Sequence, residues 1–189
     1  MKVILFSDKS KVQQEIRDIL SNLEVDLVGV VTDNSFYTED LPEADLLVSV
    51  CHHYKITREV IDKYPVCINF HPAPLPEYKG WSVYNFCLYN GENRWGVSAH
   101  YITDKIDAGN ILDVLYFNIE EETVRTLRDK SHNKLISLFG SVLTKFKNGE
   151  EFDSRANYGG KYYSKKMFES LREIKPEMPA HEIKKRIRA

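Results

Sequence analysis

What is missing from the 189-residue sequence narrows its class before any motif is read. No stretch approaches the ~18 apolar residues of a membrane-spanning helix. Met1-Lys2-Val3-Ile4-Leu5-Phe6 is apolar for only four residues before Ser7-Asp8-Lys9, too short for a secretory signal. Cysteine is confined to Cys51, Cys67 and Cys87, an odd number in apolar contexts, which reads as reduced thiols in a cytoplasmic protein. CxxC pairs are missing, which removes the thiolate type of zinc site. Glycine is missing from Phe6-Ser7-Asp8-Lys9-Ser10, the turn after the first apolar run. Neither a dinucleotide fingerprint nor a phosphate-cradling loop can therefore form there, which excludes a dehydrogenase or kinase of those types. There is no internal repeat and no low-complexity linker.

What is present describes a soluble globular chain: 42% hydrophobic residues, 29% charged, formal net charge -2. Residues 161–189 carry nine Lys/Arg against four Asp/Glu. Such a tail fits a nucleic acid, a phosphorylated ligand or simply a solvated helix face. Val3 to Phe6, Val25 to Val31, Leu46 to Val50 and Val66 to Phe70 are short, continuous apolar runs, read as buried strands. Val12, Ile16, Ile19, Leu20 and Leu23 recur at helical steps after a cap at Ser7 or Asp8, and Thr57 caps a short helix through Asp62. Strands alternating with helices predict an α/β fold with a mostly parallel sheet and helices on both faces. Three prolines in His71–Pro76 rule out helix or central strand. Beyond them the pattern predicts a helix over 82–89, strands over 96–103 and 111–119, and a long helix from about Leu127 to Phe146. The segment 33–43 is turn-like. The expected organisation is a catalytic domain over 1–149 and a basic, Tyr-rich extension over 150–189 with one or two helices.

In open α/β sheets ligands bind beyond the carboxyl ends of the strands. Asn69 and His71 stand at such an end, two residues apart and so on one side of the chain. A carboxamide donor beside an imidazole suits an oxyanion and a moving proton. Asp104 and Asp107 follow the 96–103 strand, and a carboxylate near His71 would orient its ring and favour the charged form. The same aspartates serve equally as turn formers. His52, His53 and His100 lack metal-ligand spacing, so no metal is expected. His132 and His181 read as surface residues.

Ile68-Asn69-Phe70-His71-Pro72-Ala73-Pro74-Leu75-Pro76-Glu77-Tyr78-Lys79-Gly80 and Gly96-Val97-Ser98-Ala99-His100-Tyr101-Ile102-Thr103-Asp104-Lys105-Ile106-Asp107-Ala108-Gly109-Asn110-Ile111 together resemble the folate-dependent formyltransferase family. The resemblance implies a Rossmann-like catalytic domain that transfers a formyl group from 10-formyltetrahydrofolate to a primary amine. It implies Asn69, His71 and Asp107 as the catalytic trio, with a protonated His71 kept charged by Asp107. It places the pterin on Tyr54, Lys55 and Ile56 and on Thr103, Asp104, Lys105 and Ile106. His71–Pro76 and the block Gly159-Gly160-Lys161-Tyr162-Tyr163 look like the sugar N-formyltransferase branch. That implies a nucleotide-linked amino sugar as acceptor, a dTDP-4-amino-4,6-dideoxyhexose of the kind built into lipopolysaccharide O-antigen. Trp81, Tyr84 and Tyr163 would stack on sugar or base, and Lys79, Arg94 or Lys161 would meet its pyrophosphate. A homodimer is compatible with the resemblance; a membrane is not expected, and a nucleic-acid partner is not favoured. Methionyl-tRNA or glycinamide ribonucleotide acceptors, formyl-folate hydrolysis and a tRNA-binding module stand as alternatives. The last residues, Glu182–Ala189, resemble a stretch that runs on in related chains, so a longer natural chain is expected.

Overall fold

The structure is a computed structural model that describes residues 1–8, 10–34 and 40–189. β1 (Lys2–Phe6) buries all four residues of the first apolar run. α1 (Ser10–Asn22) turns Val12, Ile16 and Leu20 inward. Because this helix starts at Ser10, neither Ser7 nor Asp8 adjoins its first turn; that position, Lys9, lies outside the described residues. β2 (Asp26–Val31) and β3 (Leu46–Val50) follow, and residues 35–39 of the turn-like stretch between them also lie outside the described residues. α2 (Arg58–Ile61) is a single turn. Thr57 stands at its cap position without a side-chain cap bond, contrary to expectation.

Next come β4 (Val66–His71), β5 (Tyr78–Gly80), α3 (Val83–Asn90), β6 (Arg94–Tyr101), β7 (Ile111–Asn118) and α4 (Val124–Lys147). Thr123 caps α4, accepting from Thr126 N while the Thr126 hydroxyl accepts from Thr123 N. The chain closes with β8 (Lys161–Tyr163), α5 (Lys165–Arg172) and α6 (Ala180–Arg188).

Among the described residues, six strands form one sheet in the order β2-β1-β3-β4-β6-β7. The first four are parallel, whereas β6 runs antiparallel to both β4 and β7. The β6–β7 connection is too short for a parallel crossover, which takes about a dozen residues, so that pair must be antiparallel. Alternation along the strands sorts side chains to the two faces. Val3, Leu5, Val48, Ile68 and Phe70 pack with Ile16 and Leu20 of α1 and Phe139 and Val142 of α4. Ile4, Phe6, Leu47 and Cys67 face the other way, against Val60 and Tyr64.

A third cluster joins Tyr78, Phe86, Trp95, Tyr163 and Leu171, and so ties the C-terminal segment to the region after β4. There β8 pairs in parallel with β5 in a separate two-stranded sheet. Both strands are three residues long, too short to show a period, and the sequence does not predict them. Part of the tail's positive charge is used internally. Arg186 pairs with Glu182 at 2.6 Å and donates to the carbonyls of Ser170, Leu171 and Glu173. Among the described residues no helix is long and apolar enough to cross a membrane.

Candidate active site

Asn69 and His71 come from the last residues of β4, and the proline loop behind His71 is held by side chains on β6. Ser98 Oγ donates to Ala73 O at 2.8 Å and accepts from Leu75 N at 2.9 Å, while Trp95 Nε1 donates to Pro72 O at 3.1 Å. The Leu75–Pro76 peptide is cis. His71 is buried, and its Nε2 donates to the Tyr78 carbonyl at 2.8 Å, because a carbonyl can only accept. That fixes the neutral ring's tautomer and leaves Nδ1 as an acceptor, 3.5 Å from Asp107 Oδ1.

Asp107 sits in the left-handed region, at φ 50°, at the end of the β6–β7 connection. Its other carboxylate oxygen accepts from Gly80 N at 2.9 Å. Asn157, from the C-terminal segment, donates Nδ2 to the carbonyls of Asp107 (2.9 Å) and Gly109 (3.0 Å). Gly109 has no alternative at its position: a Cβ there would lie 1.8 Å from Tyr101 O.

His100 is the residue that sequence reasoning missed as a partner of this group. It lies directly opposite Asn69 in the β4–β6 register. Its Nδ1 donates to Tyr101 O at 2.8 Å, so in the neutral ring Nε2 accepts from Asn69 Nδ2 at 3.0 Å. This turns the Asn69 amide so that one N–H is held and the second remains to donate. The only route to this pairing was the antiparallel register, which a reading of parallel strands does not contain.

Burial is the largest influence on His71 and holds its pKa below the usual 6.5, against the upward pull of Asp107. The expectation of a resting, protonated His71 is thereby corrected: desolvation outweighs the carboxylate. Burial also works against the Asp107 carboxylate, but His71, His100 and the Gly80 N–H together hold its pKa below the usual carboxylate range. At neutral pH the site therefore contains a neutral imidazole and a charged carboxylate.

Two depressions meet at this group. The smaller, about 100 Å³, is lined by Tyr54, Lys55, Ile56, Ile102, Thr103, Lys105 and Ile106, together with Asn69, His100 and Asp107. Six of the seven positions expected around the pterin are thus on one wall; Asp104 is exposed and outside that lining. The larger, about 460 Å³, shares Asn69 and Asp107 and adds His71, Trp81, Tyr84, Asn85, Arg128 and His132 among its walls. Trp81 is 46% exposed at its rim.

Four of the expected acceptor contacts lie elsewhere. Lys79 Nζ donates to the carbonyls of Asn157 and Gly159. Arg94 lies over the Tyr116 ring at 4.1 Å, and Lys161 over Tyr163 at 5.1 Å. Tyr163 is buried, stacked between Phe86 and Tyr78. His132 differs from the surface reading: it is half-buried, with Nε2 3.7 Å from Cys51 Sγ. Among the described residues no group of three or more His, Cys, Asp or Glu side chains is placed to hold a metal ion.

Residues 35–143, more than half of the chain, match the family model for formyl transferases. A methionyl-tRNA formyltransferase of Pseudothermotoga lettingae is 29% identical over 186 residues, covering 94% of this chain and 58% of that protein. The chain spans well under two thirds of the length of the first curated relatives it matches. In fold it is similar to a 4-N formyltransferase from Francisella tularensis, with a TM-score of 0.84 and 20% identity over 99% of this chain and 86% of that one. It is also similar to an N-formyltransferase from Helicobacter canadensis in complex with folinic acid and dTDP-3-aminofucose, with a TM-score of 0.79 and 21% identity over 99% of this chain and 79% of that one.

Proposed function

This chain belongs to the formyl transferase family, and from that membership we propose that it carries a formyl group from 10-formyltetrahydrofolate to the primary amine of a nucleotide-linked amino sugar. The observation that carries the reading is the shared wall of the cleft. Asn69 and Asp107 line both lobes and His71 lines the larger beside them, an arrangement suited to passing a group between two bound molecules. The smaller lobe fits a folate head in its chemistry. Ile56, Ile102 and Ile106 offer apolar surface, and Ser49, Asn69, His100 and Thr103 offer hydrogen-bonding groups in the same lining.

The donor supplies a formyl carbon held as an amide. The rest falls to the chain's own residues. As the amine adds, Asn69 donates its second Nδ2 hydrogen to the oxygen where negative charge develops, a contact worth about 3 kcal/mol in such sites. His71 Nδ1, the acceptor left by the bond to Tyr78 O, takes the proton that the amine gives up. The imidazolium so formed faces the Asp107 carboxylate at 3.5 Å, which stabilises it only once the proton has arrived. His71 then returns the proton to the departing folate nitrogen. His100 holds the Asn69 amide in its donating orientation.

Support for a nucleotide-linked sugar comes from the proline and Gly159–Tyr163 blocks and from likeness to the Francisella and Helicobacter enzymes over nearly the whole chain. A second reading, a methionyl-tRNA acceptor, is favoured by the curated relatives. Incubation with 10-formyltetrahydrofolate and either a panel of dTDP-amino sugars or charged initiator tRNA separates the two. Formylated sugar by mass, with tetrahydrofolate released in equal amount, is the expected outcome. Formylated tRNA alone moves the acceptor to the second reading, and folate release without any formylated product identifies a hydrolase.

A further inference from the structure

Beyond His71 the larger lobe reaches the first turns of α4, where it meets a cation. We propose that Arg128, with His132 one turn along the same helix face, forms the phosphate-reading corner of this lobe. It would hold the diphosphate of the acceptor while the amine lies at Asn69 and His71. The inference rests on the nucleotide-linked acceptor proposed above and names the residue that would recognise it.

Four observations converge on this corner. Residues four apart on a helix present one face, and both of these side chains line the cavity. The cations first expected to meet a pyrophosphate are engaged away from the cleft: Lys79 on two carbonyls, Arg94 on Tyr116 and Lys161 on Tyr163. The ion pair of Arg128 is with its neighbour Asp129, 3.3 Å away and half-exposed, a kind of contact that contributes little. A guanidinium can exchange it for a two-pronged bond to a phosphate, which is stronger and geometrically selective. Among the described residues that line this lobe Asp107 is the one carboxylate, and it belongs to the catalytic group; the acid beside Arg128 is Asp129, which the guanidinium would exchange for the phosphate.

Calorimetric titration with dTDP, and separately with folinic acid as a probe of the donor lobe, tests the assignment on the parent chain, Arg128→Gln and Arg128→Lys. Loss of one charge-assisted contact should weaken dTDP binding about tenfold to a hundredfold in Arg128→Gln, less in Arg128→Lys. Folinic acid affinity should be the same in all three. If Arg128→Gln binds dTDP as tightly as the parent, the corner is not a phosphate reader, and the nucleotide-linked reading stands without it. If both affinities fall together, Arg128 acts structurally and the proposal is overturned. If neither dTDP nor UDP binds the parent at millimolar concentration, the acceptor reading fails and takes this inference with it.

Discussion

His71 is held by one firm bond and one open one. With Nε2 committed to Tyr78 O, the proton-accepting role proposed for it falls to the lone pair on Nδ1. His71→Ala should lower kcat by at least ~100-fold in a folate-release assay, the usual scale for losing an acid–base group. The pH dependence follows from burial. Because the pKa is held below 6.5, the basic form persists on the acid side of neutrality and is lost only as pH falls through that depressed value. The acid limb of kcat/KM should therefore have its midpoint below about 6.5; a midpoint at or above that value contradicts a neutral resting imidazole. Asp107→Asn removes the upward pull, so the limb should move to still lower pH while kcat drops. Much of this was legible in the sequence, since Asn-x-His at a strand end already puts two groups on one side. The charge state was not, because burial at His71 depends on packing that the sequence pattern does not display.

At the scale of elements, the four parallel strands could be read directly, because each is a continuous apolar run that only a doubly covered strand explains. Alternation also showed the strand that is β6, but not its antiparallel direction, and the short β5 and β8 could not be read. Yet β5 and β8 matter most to the candidate site, since they present Gly80 N to the Asp107 carboxylate and align Asn157 behind it. Gly160 permits the pairing: it has φ 73°, and a Cβ would lie 1.6 Å from Pro76 O. Gly160→Ala should therefore lower Tm and kcat together. Asn157→Ala leaves two buried carbonyls without a donor, at a cost of roughly 2 kcal/mol. Its effect on activity should appear in kcat more than in KM for the donor, because the residue anchors Asp107 without lining the donor lobe. Steady-state kinetics beside thermal denaturation would separate the two effects.

Over the whole molecule, buried neutral histidines make stability sensitive to acid. Burial lowers the pKa of His52 to about 4 and that of His71 below its usual value. The unfolded chain takes up these protons near pH 6.5, so it binds more of them than the folded chain at any pH between the two values. Stability should be level above about pH 6.5 and decline as pH falls towards 4. Asp107 then adds its own loss below the usual carboxylate range. Tm measured from pH 7.5 down to 4.5 checks the sign. The thiols behave oppositely: burial pushes Cys67 and Cys87 up to about 12, so neither should react with a disulfide reagent at pH 8 until the chain unfolds. The α/β class was readable from composition and pattern alone, and the basic tail was readable as charge and as one or two helices, of which the structure has two. Its folding onto α3 and β5 is a matter of tertiary contacts such as those of Arg186 and Tyr163, which no local pattern announces.

The pairing of β8 with β5 also sets an order of events while the chain is being made. A nascent chain that has emerged as far as Lys147 already contains all six strands of the main sheet, the proline loop and the floor of both lobes. It does not yet contain Asn157 or the strand that lines up Gly80, so Asp107 has no clasp on either side. Competence to bind the donor should thus precede competence to use it. A ribosome-held chain exposed as far as Lys147 should carry folate and leave it intact, and chemistry should begin only after Tyr163 has cleared the exit.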